Sequence, residues 1–232
     1  MVHHTNYDQE HPPAMVSSTE IQSTSRKRQR MTHGERTDLS GSKMLEATES
    51  LILEVGTQKT TLKEVGERAG YSRGLANSRF GNKETLFLKL AERCFDVWLQ
   101  EIQKNSQNKT GLPAFLSRLD AVASFAKHHP ETARVMYILW FESVGSTSEM
   151  KDRLAVFHQR ARKDIIRLIE EAKSAEEISD QVDAKLFAIN CTSTLFGLCY
   201  QYVVDPEAID VSAIVQGLKQ QMLLILKGND CS

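Results

Sequence analysis

Proline is scarce in this chain of 232 residues, five in all with Pro12 and Pro13 among them, and glycine numbers only twelve. A turn-rich β-sandwich needs more of both. Long hydrophobic runs are also missing: the longest apolar cluster, Val135 to Phe141, has seven residues, against the roughly 18 that a membrane-spanning helix requires. The first thirty residues carry no apolar segment of the kind found in a secretion signal. A cytosolic protein with no membrane partner is therefore expected. The four cysteines, Cys94, Cys191, Cys199 and Cys231, contain no C-x-x-C pair and have no histidine spaced to complete a zinc site. Cys191 and Cys199 lie about 12 Å apart along one helix, too far for a disulfide. Buried reduced thiols are expected, with no metal and no cofactor. Nucleophile elbow, P-loop and H-E-x-x-H are absent too, which argues against an enzyme.

What the chain does have is 41% hydrophobic residues, enough for one large or two small cores. Its overall charge is −1, but the balance is uneven. Residues 1–24 carry no basic residue against three acidic ones, residues 25–109 carry 16 against 11, and residues 110–232 carry 13 against 16. The excess of positive charge is confined to one segment, and it is modest support for a nucleic-acid partner.

Residues 1–37 mix Ser, Thr, His, Gln and Pro with few large apolar residues, and are expected to form a disordered tail. The tail contains Ser25 to Arg30, SRKRQR, which fits either an arm on DNA phosphates or a solvated linker. From Ser42 to Val55, Met44, Ala47, Leu51, Ile52 and Val55 fall at helical spacing, and Gly56 is a natural stop. Thr61-Leu62-Lys63-Glu64 fits the capping box and opens a second helix that ends at Gly70. Ser72 caps a third, reaching Phe80; the fourth runs from about Lys83 to Ser106. Further helices are expected to start near Pro113, Pro130, Ser148, Asp183 and Asp210. The fold class is all-α: a small N-terminal helical domain over residues 38–98 and a larger one over residues 99–232.

Two short helices joined by Gly70-Tyr71-Ser72 and braced by an earlier one outline a helix-turn-helix. Glycine at 70 permits a left-handed turn, and small Ala69 is expected to permit close approach. At 100° per residue, turning Ala76 and Phe80 inward places Gly74, Leu75 and Ser78 outward, with Arg79 on one flank and Arg73 and Asn77 on the other. In a major groove, Leu75 suits a thymine methyl and Asn77 an adenine. Arg79 and Arg73 suit guanine or phosphate, Arg73 preferentially phosphate.

The ordered set Met44-Leu45-x-Ala47, Leu51, Gly56, Thr61-Leu62-x-x-Val65-x-x-x-Ala69-Gly70-Tyr71-Ser72-Arg73-Gly74 and Phe80-x-Asn82-Lys83-Glu84-x-Leu86-Phe87 resembles the DNA-binding domain of the tetracycline-repressor (TetR) family. The resemblance covers about a quarter of the chain. It implies a sequence-specific transcriptional regulator, a ligand-responsive repressor that binds a palindromic operator on double-stranded DNA as a homodimer. It assigns Thr61, Ser72, Arg73 and Gly74 to the DNA surface and Lys83 to a phosphate at a helix N-terminus, where partial positive charge favours an anion in any case. The family commonly has an aromatic residue at the position of Asn77 or Ser78 and a histidine at that of Arg79. Their absence implies that Arg79 supplies part of the affinity. A helical protein-interaction module whose helix-turn-helix does not read DNA is the alternative.

For residues 107–232 the resemblance implies a dimer contact and a cavity for an unknown small-molecule effector, whose binding would tilt the fourth helix. The last two helices, apolar on most faces, fit the homodimer contact. Phe125, Met136, Tyr137, Trp140 and Phe157 fit either the wall of that cavity or plain core, with His158, Arg162 and Thr194 as candidate polar anchors.

Overall fold

A computed structural model describes residues 32–145 and 149–228. The SRKRQR segment, Ser148 and Cys231 lie outside them. Among the described residues all regular structure is helical: α1 (His33–Lys59), α2 (Leu62–Arg68), α3 (Arg73–Phe80), α4 (Lys83–Ser106), α5 (Gly111–His128), α6 (Pro130–Val144), α7 (Glu149–Ser174), α8 (Ala184–Val204) and α9 (Val211–Lys227). No described helix is long and apolar enough to cross a membrane.

Side-chain caps set most of the boundaries. Thr61, Ser72, Asn82, Asp183 and Asp210 each accept a backbone N–H from the first turn of the helix that follows, satisfying donors that the helix itself leaves free. The start of α1 departs from the sequence expectation by nine residues. Thr32 and Glu35 form a reciprocal capping box, with Thr32 N–H to Glu35 Oε2 at 2.7 Å, so residues 33–37, expected in the tail, are helical. Gly56 does not end α1 either. At φ 80° and ψ 166° it sits in a region open to glycine almost alone, and one further turn follows to Lys59. That turn buries Thr57 and leads to Thr60, whose hydroxyl returns to Gly56 O at 2.9 Å.

Three cores follow from the apolar stripes. Met44, Leu51, Val65, Ala76, Phe80 and Leu86 close a head made of α1–α3 and the start of α4. Phe115, Leu119, Ile165, Ile169, Val215 and Leu226 lie in the core that holds α5, α7, α8 and α9 together. Between them, Ile52 of α1 joins Leu90 and Cys94 of α4 and Val135, Met136 and Trp140 of α6. The head is therefore seated on α4 and α6. Cys94 and Cys191 are buried and Cys199 is half-buried; burial pushes the Cys94 and Cys191 thiols up to about 12 and Cys199 to about 11. Such thiols carry no thiolate reactivity at neutral pH.

Candidate DNA-binding surface and effector cavity

The turn between α2 and α3 is built from two glycines with different tasks. Gly70 holds φ 78°, the left-handed conformation anticipated there. The close approach is made at Gly66, not at Ala69. A Cβ on Gly66 would stand 3.0 Å from Ser72 O and 3.2 Å from its carbonyl carbon, while the Tyr71 N–H donates to Gly66 O at 2.8 Å. The sequence offered a signal for this, a glycine mid-helix where its propensity is poor.

α3 is anchored by Ala76 and Phe80, both buried. That anchoring turns Arg73, Gly74, Leu75, Asn77 and Ser78 to solvent together. Leu75 is 37% exposed, an apolar side chain held on the outer face of a helix whose inner face is already packed. Thr61 and Ser72 are exposed beside them, and both hydroxyls serve their caps: Glu64 N–H to Thr61 Oγ1 at 3.3 Å and Leu75 N–H to Ser72 Oγ at 3.2 Å. Lys83 is half-buried at the start of α4, where its ammonium donates to Gln58 O at 3.1 Å and lies 5.5 Å from the Phe87 ring. Two of its three N–H groups are left for a phosphate.

Arg79 stands apart from this group. It folds back over α1, so that a Cβ on Gly41 would meet its Nη1 at 3.2 Å, and its Nε is buried with no hydrogen-bond partner among the described residues. The helical wheel placed it on a flank of the reading face; the extended α1 occupies that flank and takes the side chain instead.

In the larger domain, Phe125, Met136, Tyr137, Trp140 and Phe157 share the wall of one cavity of about 80 Å3, together with Trp98 of α4 and Phe196 of α8. The three candidate polar anchors are not in that wall. Thr194 is exposed, its hydroxyl given to Asn190 O at 2.9 Å, because the inner face of α8 is carried by Thr192, Leu195, Phe196 and Cys199. His158 lies edge-on to Phe196 with ring centroids 4.6 Å apart, behind the wall. Burial, and then the nearby Arg162 charge, lower its pKa. The charged residue that does line the cavity is Arg118, which composition hid: an arginine between Leu116 and Leu119 reads as surface, yet it is buried and donates to Asp164 Oδ2 at 3.0 Å.

Comparison with known proteins places both halves. A family model described as bacterial regulatory proteins, tetR family, matches residues 44–90, and one described as BetI-type transcriptional repressor, C-terminal, matches residues 116–225. An uncharacterized HTH-type transcriptional regulator of Bacillus subtilis, YfiR, is 20% identical over 199 residues, which is 84% of this chain and 96% of that protein. SmeT, the repressor of the Stenotrophomonas maltophilia multidrug efflux pump SmeDEF, has a similar fold with a TM-score of 0.67 at 23% identity, covering 84% of this chain and 94% of that one. NalD, the secondary repressor of the MexAB-OprM multidrug efflux pump in Pseudomonas aeruginosa, gives 0.67 at 20% identity over 85% and 100%. With the N-terminal and C-terminal patterns matched in chain order on an all-helical fold whose α3 face is open, the chain belongs to the TetR family of bacterial transcriptional regulators.

Proposed function

We propose that this regulator is a ligand-responsive repressor that works as a homodimer on a palindromic operator in the cytosol. The observation that carries the reading is the α3 surface, where Ala76 and Phe80 hold Arg73, Gly74, Leu75, Asn77 and Ser78 outward on a rigid head. The two small residues let the backbone approach base edges, Leu75 and Asn77 read them, and Arg73 with Lys83 and the α4 N-terminus grips phosphates. A protein-interaction module that does not read DNA is not favoured: the exposed α3 face carries no acidic residue.

The second copy is supported by apolar surface on α8 and α9. Leu186, Ile189, Tyr200 and Val204 leave one side of α8 uncovered, and Leu224 and Ile225 are more than 60% exposed on α9. A two-fold contact there buries both helices in a four-helix arrangement and sets two copies of α3 at a spacing of about 34 Å or a multiple of it, matching successive major grooves. The effector would act by favouring an arrangement with another spacing, which requires tighter binding to the DNA-free form. The repressors SmeT and NalD, which share the fold, support the sign of regulation.

Selection of genomic fragments by the purified protein at physiological salt tests the reading. A shared inverted repeat is the expected outcome, and Ile189→Glu should yield a monomer that has lost most of its affinity for it. Random retention that disappears with added salt would leave only non-specific binding.

A further inference from the structure

The wall of the aromatic cavity specifies what it accepts. Tyr202 gives its hydroxyl to Ala126 O at 3.1 Å, Thr192 to Ala188 O at 2.8 Å and Tyr137 to Phe196 O at 3.4 Å. Arg118, the one ionised side chain in the wall, is held by Asp164. Among the described residues, one fully buried polar atom of the wall is left without a partner. Trp140 is 95% buried (5% exposed) among the rings of Phe95, Tyr137, Phe157 and Phe196, with centroids 5.2–5.7 Å away, and its indole N–H has no acceptor among the described residues. A buried donor without a partner is unfavourable, and a ligand oxygen that accepts from it relieves that penalty.

Outside the cavity runs a cleft of about 480 Å3 between α4 and α7, which shares Trp98, Arg118, Phe157 and Ala161 with the cavity wall. Carboxylates outnumber guanidinium groups five to three around it, and two of the arginines, Arg118 and Arg153, are already paired with Asp164 and Glu92. An anion would approach past net negative charge and then lose its hydration in a wall whose single cation, Arg118, already has its charge countered by the Asp164 carboxylate. The inner cavity, at about 80 Å3, is smaller than the roughly 150 Å3 that holds a benzene ring. A ligand with a ring must therefore extend into the cleft and displace Trp98 or Phe157. Trp98 belongs to α4, the helix that follows α3 directly, so occupancy of the cavity is tied to the position of the head.

We infer that the effector taken by this cavity is an uncharged, mainly aromatic molecule carrying a hydrogen-bond acceptor for the Trp140 indole, inserted from the α4–α7 cleft. The inference rests on the reading of the chain as a ligand-responsive repressor.

The test uses three matched probes on the full-length protein: 2-acetylnaphthalene, its isostere 2-isopropenylnaphthalene, which lacks the acceptor, and 2-naphthoate, which is anionic. Dissociation constants are measured by titration calorimetry. Trp140→Phe should weaken the ketone about fivefold, the yield of one net hydrogen bond, and change the alkene less than twofold. The naphthoate should bind at least tenfold more weakly than the ketone. Ala161→Leu, which narrows the shared wall without touching Trp140, should weaken ketone and alkene alike. Equal weakening of ketone and alkene by Trp140→Phe, tightest binding of the naphthoate, or binding indifferent to both variants would overturn the inference. Operator retention is scored separately. Ketone binding with the Trp140 signature but no change in retention keeps the cavity chemistry and removes the ketone as an inducer; retention of operator by a protein that binds none of the probes removes the cavity chemistry and keeps operator binding.

Discussion

Thr132, in the first turn of α6, donates its hydroxyl to Glu49 Oε1 on α1 at 2.8 Å. In the last turn of the same helix, Glu142 accepts from Thr57, in the turn that follows Gly56. The head is thus fastened at two points to the helix whose inner face carries Met136, Tyr137 and Trp140. A displacement of those rings reaches α1 through α6, in parallel with the route through Trp98 and α4.

Replacing Thr57 and Thr132 together by valine removes both fastenings. Each hydrogen bond contributes about 1 kcal/mol net, with a further penalty for a carboxylate left without its donor. The double variant should lose about 2–3 kcal/mol, and the loss should be local. Amide exchange should accelerate in α1–α3 and stay unchanged in α8 and α9, as read by hydrogen–deuterium exchange. Uniform acceleration across the chain would show that α6 does not hold the head.

The α2–α3 turn separates stability from recognition. In Gly66→Ala the new methyl meets Ser72 backbone at 3.0 Å, so the start of α3 must shift or the turn must open. A cost of about 1–3 kcal/mol is expected from overpacking, with operator affinity falling more than tenfold because the reading face is displaced. Gly74→Ala is the control: its Cβ would meet only Ser72 Oγ at 3.7 Å, so the protein should melt normally and any affinity lost comes from the DNA side. Thermal melts and fluorescence anisotropy on labelled operator distinguish the two.

Arg73 and Arg79 lie six residues apart on α3 with different surroundings, and salt dependence separates them. Arg73 is exposed, so Arg73→Ala should reduce the slope of log affinity against log salt by about 0.9, the yield of one phosphate contact. Arg79 lies across Gly41 with its Nε buried. Arg79→Ala should leave the slope within a few tenths and lower the melting temperature instead. A slope that falls with Arg79→Ala would mean that the guanidinium leaves α1 when DNA binds.

The residues that were legible in the sequence are those governed by local rules. The starts of α3 and α4 follow from Ser72 and Asn82, the left-handed turn from Gly70, and the outward face of α3 from the spacing of Ala76 and Phe80. What could not be read depends on a partner distant in sequence. Arg79 looks free until α1 is known to begin at His33, and that start was hidden because the Thr32 capping box opens two exposed, polar turns. Thr194 looked like an anchor because α8 is apolar on nearly every face, which leaves its rotation undefined until Leu195, Phe196 and Cys199 are seen against the cavity. Arg118 was missed for the opposite reason, as a charge that only Asp164 on α7 makes tolerable inside.

His158 should give the protein a measurable acid sensitivity. Its folded pKa is lowered below 6.5, first by burial against Phe196 and Trp140 and then by the Arg162 charge. Well above pH 6.5 the imidazole is neutral whether the chain is folded or unfolded, and it contributes nothing to pH dependence. As pH falls through 6.5 the unfolded chain binds the proton first. Stability drops from there until pH passes the folded value, below which the loss is complete. Carboxylates such as Glu101, held below 4.5 first by the Ser124 hydroxyl, act in a separate window at lower pH. His158→Gln should therefore flatten the fall in melting temperature that begins near pH 6.5 while leaving the steeper loss below about pH 4.5 in place. Parallel melting curves for the two proteins across the upper window would show that His158 takes up its proton in the folded chain as readily as in the unfolded one, and that the ring is not held behind the cavity wall.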